Sequence, residues 1–287
     1  MLDKKIAFIG SGAMAEAMIG GLLRQNLAEA QDLFAADPHE KRLQELKERY
    51  GIQPFTENNQ PASQADVVVL SVKPQRLSEV LDGLQGSIPS HALVLSIVAG
   101  AKMEKISKGL KHEAVVRSMP NTPAQISEGI TVWMPSPAVN DEQKETAAKI
   151  LGAFGDEVLV EDEGYLDMAT ALSGTGPAYV FMFMEALIDA GVHMGFPRHI
   201  SEKLIFQTIR GSVDYYRHAQ RHPATLRNQV TSPGGTSAEA LYYLEKAGFR
   251  TAISRAVWAA YQRSLELGKE KPVHIPGVNP PGEDNSD

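Results

Sequence analysis

The chain has 287 residues, 43% of them hydrophobic and 7% aromatic, with a formal net charge of −7 and no cysteine. This length predicts two domains with ordinary cores, and the missing thiols exclude disulfides, cysteine-held metal and a cysteine nucleophile. The acidic balance without a Lys/Arg cluster argues against nucleic acid, no apolar run approaches the ~18 residues of a membrane span, and Met1 to Lys5 leaves no room for a signal peptide, so a cytoplasmic protein is expected.

In chain order, Ile6 to Ile9 reads as a buried strand that stops at Gly10, and a helical pattern runs from Ala13 to Arg24. Gly10 permits a tight turn, Gly12 lets backbone approach a pyrophosphate, and Ala15 keeps helix and strand close. Ser11, Ala13 and Met14 complete this cofactor-binding group, because a helix N-terminus offers unpaired N–H groups to phosphate. A glycine turn that binds nothing is the alternative. Asp32 to Ala36 is the second strand and Glu40 to Tyr50 a charged helix. Asp37, at the strand's end, suits a ribose hydroxyl and repels a 2′-phosphate, whereas Lys41 and Arg42 could pair with that phosphate. The alternative for all three is a solvated helix start.

Asp66 to Val72 and Ala92 to Val98 are continuous apolar runs, as in parallel strands covered on both faces. Ser71, Val72, Lys73 and Pro74 follow the first of these, placing Lys73 at a strand's carboxyl end. It is either a cofactor neighbour or a surface lysine. Ala114 to Arg117, Ile130 to Met134 and Glu157 to Val160 are shorter strand candidates, and Asp141 to Phe154 is a helix. In the segment Ser118 to Pro123, two prolines bracket Asn121 and Thr122, either beside a nicotinamide ring or as a structural turn. The alternation predicts an α/β Rossmann-like doubly wound parallel sheet over residues 1–161.

Residues 162–270 read as an all-α domain for substrate binding and dimerisation, and the Pro-rich tail 271–287 as disordered. Helical spacing runs through Asp167 to Ala171, Tyr179 to Met194, His199 to Arg217 and Ala238 to Leu267. The helix Ala178 to Val192 is apolar nearly all round, which predicts packing against a second copy; a central helix of a monomeric bundle is the alternative. Ser173, Gly174, Thr175, Gly176 and Pro177 precede it. Ser232, Pro233, Gly234, Gly235, Thr236 and Ser237 precede another helix, where two glycines and hydroxyls at an N-terminus suit a carboxylate. Ordinary capping by Thr236 or Ser237 is the alternative. No lysine lies between Lys149 and Lys203. The acid/base group of a hydroxy-acid dehydrogenase is therefore hard to find there, whereas an imine needs less proton donation.

In order, Phe-Ile-Gly-x-Gly-x-Met-Ala, Val-Lys-Pro, Met-Pro-Asn-Thr-Pro, Ser-Gly-x-Gly-Pro-Ala-Tyr and Ser-Pro-Gly-Gly-Thr resemble pyrroline-5-carboxylate reductases from Lys4 to about Gly268. The resemblance implies hydride transfer from NADPH or NADH to the C=N carbon of Δ1-pyrroline-5-carboxylate, the last step of proline biosynthesis. It implies a homodimer, or a larger homo-oligomer built from dimers, with the substrate carboxylate held by Ser232, Gly234, Gly235, Thr236 and Ser237 across the dimer interface. Ser173 and Thr175 join that substrate group. Ser237 aligns with a hydroxyl that hydrogen-bonds near the ring nitrogen, and Lys73 and Asn121 border the nicotinamide. Lys73 and Ser237 are the candidate catalytic residues, and no metal is expected. The family generally accepts NADPH, so Asp37 departs from its pattern. The rivals are another imine or hydroxy-acid reductase of this layout and a non-catalytic dinucleotide sensor.

Overall fold

A computed structural model describes residues 1–268 of the protein. The tail 271–287, expected to be disordered, lies outside the described residues. By contact the chain divides into two compact units: 1–174 with the described residues from Ala260 onward, and Thr175–Ala259. The division falls after Gly174, where the sequence reading places it after residue 161.

The first unit holds an eight-stranded sheet ordered β3-β2-β1-β4-β5-β6-β7-β8. Its strands are β1 (Ile6–Ile9), β2 (Leu33–Ala36), β3 (Gln53–Phe55), β4 (Val67–Leu70), β5 (Leu93–Ser96), β6 (Val115–Met119), β7 (Gly129–Pro135) and β8 (Gly155–Leu159). The helices are α1 (Ala13–Arg24), α2 (Glu40–Tyr50), α3 (Asn59–Ala62), α4 (Leu77–Leu84), α5 (Met103–Leu110), α6 (Asp141–Gly152) and α7 (Gly164–Ala169). β1 and β4 are buried at every residue. Ile6, Phe8, Val67 and Val69 join one core cluster with α1 and α6, while Ala7, Ile9, Val68 and Leu70 join another with α4 and α5. Alternate residues thus fill opposite faces, so an apolar run without alternation marks these strands.

The sheet departs from the expected all-parallel one at β7, which pairs antiparallel with β6 before β8 pairs parallel with β7. Between β6 and β7 stands only a short segment around the 3-10 turn Thr122–Ile126. A parallel return needs a crossover of roughly a dozen residues or more.

After α7 comes a π-helical turn, Thr170–Gly174. The second unit contains α8 (Gly176–His193), α9 (Arg198–Ala219), α10 (Pro223–Gln229), α11 (Thr236–Lys246) and the start of α12 (Phe249–Leu267). The helical spacing from Ala238 to Leu267 resolves into two helices, the first ending at Lys246, and Gly248 adopts φ +73 between them. The buried residues of α8 are Ile188 and Gly191, whereas Phe181 and Met182 are 61% and 75% exposed. By length and composition alone the stretch 164–193 could cross a membrane, which the sequence reading did not expect. A helix face covered by a protein partner passes the same test.

Candidate active site

The glycine turn is built by the ends of β1, β2 and β4. Gly10 adopts φ +93, and an added Cβ there would lie 2.8 Å from the Ser71 carbonyl oxygen. Ser71 donates its N–H to the Ile9 carbonyl at 2.9 Å and its hydroxyl to the Gly10 carbonyl at 2.7 Å. Only glycine fits that conformation and that approach. Ser11 is wholly buried: its N–H donates to Asp37 Oδ2 at 3.0 Å, its hydroxyl to the Ala36 carbonyl at 3.3 Å, and its carbonyl accepts from Arg42 Nε at 2.8 Å. Ser11 therefore shapes the turn with every polar group it has.

Gly12 behaves differently. It stands at the N-cap of α1 with extended backbone and no capping side chain, and an added Cβ would meet nothing within 4 Å. Protein packing does not require a glycine there. The open space above uncapped first-turn N–H groups fits a pyrophosphate, with Gly12, Ala13 and Met14 as donors. Ala15 is buried in the core cluster that includes Phe8.

Asp37, the expected ribose partner, is held from three directions. Besides the Ser11 N–H, it accepts the His39 N–H at 3.0 Å and lies 2.8 Å from His39 Nδ1. Burial pushes its carboxyl up, but the N–H groups of His39 and Ser11 outweigh that and hold it below the usual carboxylate range. Arg42, weighed as a phosphate partner, is committed to the Ser11 carbonyl and to Glu16 Oε2 at 2.5 Å. Glu16 also accepts Arg49 and the Tyr50 hydroxyl. Burial raises the Glu16 carboxyl, and these donors, Arg42 foremost, bring it down. Lys41 remains exposed at the start of α2.

Val72, Lys73 and Pro74 form the turn after β4. Val72 Cγ1 would lie 2.9 Å from a Cβ on Gly10, and Lys73 is exposed, its carbonyl accepting the Arg76 N–H at 2.9 Å. This turn thus adjoins the glycine turn, as expected. Asn121 is more occupied than the sequence reading supposed. Its Oδ1 accepts the Ile130 N–H at 3.0 Å and its Nδ2 donates to the Ser173 carbonyl at 3.2 Å, while the Ser173 hydroxyl donates to the Ala169 carbonyl. Asn121 and Ser173 are brought together, the first bracing β7 and the π turn and leaving one amide hydrogen for a neighbour.

In the helical unit, Thr175 occupies the N-cap position of α8. Gly234 adopts φ +69, Gly235 donates to the Ser232 carbonyl at 3.1 Å, and an added Cβ on Gly235 would lie 2.6 Å from Ser232 Oγ. Gly235 is the N-cap of α11, and no side chain caps that helix. Capping by Thr236 or Ser237 is therefore not what the leader does, and the first-turn N–H groups have no side-chain acceptor. Sequence reasoning gave no role to Glu16 or to the Ser71 hydroxyl, whose partners lie far along the chain and leave no local signal.

A family profile described as pyrroline-5-carboxylate reductase dimerisation matches residues 163–267, and one described as NADP oxidoreductase, coenzyme F420-dependent, matches 5–100. The pyrroline-5-carboxylate reductase of Synechocystis sp. is 40% identical over 93% of this chain and 99% of its own. That of Corynebacterium melassecola is 40% identical over 92% and 98%. The crystal structure of Plasmodium falciparum pyrroline carboxylate reductase with NADP bound superposes with a TM-score of 0.86 at 33% identity, covering 94% of this chain and all of that one.

Proposed function

Because this chain belongs to the pyrroline-5-carboxylate reductase family, we propose that it reduces Δ1-pyrroline-5-carboxylate to L-proline with NADPH or NADH. The observation that carries this reading is a pair of uncapped helix N-termini behind glycine leaders, α1 at Gly12 and α11 at Gly235. One suits a pyrophosphate and the other a small carboxylate.

The bound nicotinamide supplies a hydride, which goes to the imine carbon while a proton ends on the ring nitrogen. Gly12, Ala13 and Met14 present N–H groups to the pyrophosphate, Gly10 and Ala15 allow the approach, and Ser11 fixes the turn through Asp37 and Arg42. Asp37 keeps lone pairs for ribose hydroxyls. Val72, Lys73 and Pro74 border the nicotinamide with Asn121, Lys73 adding a positive charge. Ser232, Gly234, Gly235 and Thr236 hold the substrate carboxylate, Ser173 and Thr175 line the substrate, and the Ser237 hydroxyl accepts the N–H of the protonated ring nitrogen. A protonated imine accepts hydride without a strong protein acid, so positioning and anion binding carry most of the rate.

Residues 1–161 serve as the dinucleotide-binding domain and 162–270 as the domain for substrate binding and dimerisation. The chain works in the cytoplasm as a homodimer or a larger assembly of dimers, with neither membrane nor nucleic acid as partner. The exposed apolar side chains of α8 support self-association.

The test is steady-state turnover of the purified full chain with Δ1-pyrroline-5-carboxylate and each cofactor, with proline identified as product. Turnover of this five-membered imine above that of its six-membered homologue is expected. Cofactor binding without turnover would overturn the reading.

A further inference from the structure

Asp167 on α7 is wholly buried, with Arg117 on β6 and Ser264 on α12 exposed by 2% and 1%. Its Oδ2 accepts Lys102 Nζ at 2.7 Å, and its Oδ1 accepts the Ser264 hydroxyl at 2.9 Å and Arg117 at 3.2 Å. A carboxylate withdrawn this far from water persists only when donors fill its lone pairs. Here three donors come from three separate elements. Glu163, just before α7, accepts the Met103 N–H at 2.7 Å and Arg117 at 2.8 Å, and so caps α5 from a distance.

Two of these contacts, Lys102 to Asp167 and Met103 to Glu163, bear on one loop, residues 97–102 between β5 and α5. Lys102 and Met103 are tied at its end. In its middle Gly100 adopts φ +72, and an added Cβ would lie 2.8 Å from Leu267 Cβ, so the last turn of α12 rests against the loop backbone. The loop leaves the carboxyl end of β5, adjoining β4, whose own end carries Lys73. Ligands of open α/β sheets bind at the carboxyl ends of the strands. With Asp37, just after β2, marking the ribose side, the ends of β4 and β5 fall to the nicotinamide side. Lys102, Arg117, Asp167 and Ser264 have no part in holding the cofactor phosphates or the substrate carboxylate.

We propose that Asp167 is a positioning residue: through Lys102, Arg117 and Ser264 it locks the loop 97–102 against the last turn of α12 and thereby sets the nicotinamide end of the cofactor site. The inference rests on the reading of the chain as a dinucleotide-dependent reductase. α7 and α12 lie near the two ends of the stretch that matches the dimerisation profile. One carboxylate thus fastens both ends of that stretch to the sheet, and slackening it loosens the loop without touching the glycine turn.

The test compares Lys102→Gln, Lys102→Arg and Ser264→Ala with the wild type, since Asp167→Asn risks misfolding. Amide exchange of residues 98–103 is measured without cofactor, together with NADP⁺ affinity, kcat and the deuterium isotope effect of C4-labelled NADPH. Lys102→Gln and Ser264→Ala are expected to speed exchange in that loop. They should lower kcat by about tenfold to a hundredfold through misplacement of the ring, raise the isotope effect, and leave NADP⁺ affinity unchanged, the thermal midpoint falling only as far as one lost partner of a buried carboxylate requires. Lys102→Arg should restore all of these. Wild-type loop exchange in both variants would overturn the proposal, as would parallel losses of stability, affinity and kcat. If the wild type itself turned over no imine, the function would fall while the exchange result still judged the lock.

Discussion

An added Cβ at Gly10 would press on the Ser71 carbonyl, whereas one at Gly12 would meet nothing within 4 Å. Gly10→Ala should therefore cost about 1–3 kcal/mol of stability from backbone strain, read as a lower urea midpoint. Gly12→Val should fold with the wild-type midpoint and lose cofactor affinity measured by calorimetry. Retained affinity would mean that phosphate does not approach this turn. At Asp37, Ser should raise the NADPH-to-NADH ratio of kcat/KM by about tenfold, or ~1.4 kcal/mol. An unchanged ratio would leave Asp37 as the tether of Ser11 alone. Asp37 and Asp167 both titrate lower folded than unfolded: burial pushes each up, and the N–H groups of His39 and Ser11, or Lys102 and Arg117, pull each further down. The unfolded chain thus binds more protons in acid, and the stability they add is complete above the usual carboxylate value of about 4 and fades below it. The gap in urea midpoint between wild type and Lys102→Gln, which removes the first of the groups that pull Asp167 down, should be constant near neutrality and narrow in acid. A gap independent of pH would show that the carboxylate charge is not the source.

Long apolar runs named the elements best. β4 and β5 were plain because both faces of the sheet are covered, and α1 and α2 because a glycine stops the strand before one and closes the other. The three-residue β3 and the four-residue α3 have too few side chains to carry a period. α4 and α5, eight residues each, do carry an apolar face at helical spacing, Leu77, Val80, Leu81 and Leu84 in one and Ile106 and Leu110 in the other, a signal the sequence reading overlooks. The reversal at β7 was hidden because strand direction is set by the length of the connection, not by strand composition. α6 shows a local signal in full: Asn140 accepts the Gln143 N–H at 2.8 Å and Gln143 reaches back to the Asn140 N–H at 3.1 Å. Asn140→Ala should cost about 1 kcal/mol, seen as a lower thermal midpoint with kcat intact. A midpoint equal to wild type would mean that the rest of the unit holds this helix without its cap.

For the molecule as a whole, motifs announced the ends of the site and packing decided what holds it. The glycine turn, Val-Lys-Pro and Ser-Pro-Gly-Gly-Thr are contiguous and could be read directly. Ser11 with Asp37 and Arg42, or Asp167 with Lys102 and Ser264, are joined only by the fold. The apolar surface of α8 calls for a second copy, and Phe181→Glu should shift the mass in solution toward the monomer; a wild-type chain already monomeric at assay concentration would contradict that. The central matter is where the hydride goes. NADPH carrying deuterium at the transferred C4 position, given to the purified enzyme with Δ1-pyrroline-5-carboxylate, should yield proline deuterated at the nitrogen-bound ring carbon that lacks the carboxylate. Proline without that label, or no proline at all, would contradict the reaction assigned to this chain.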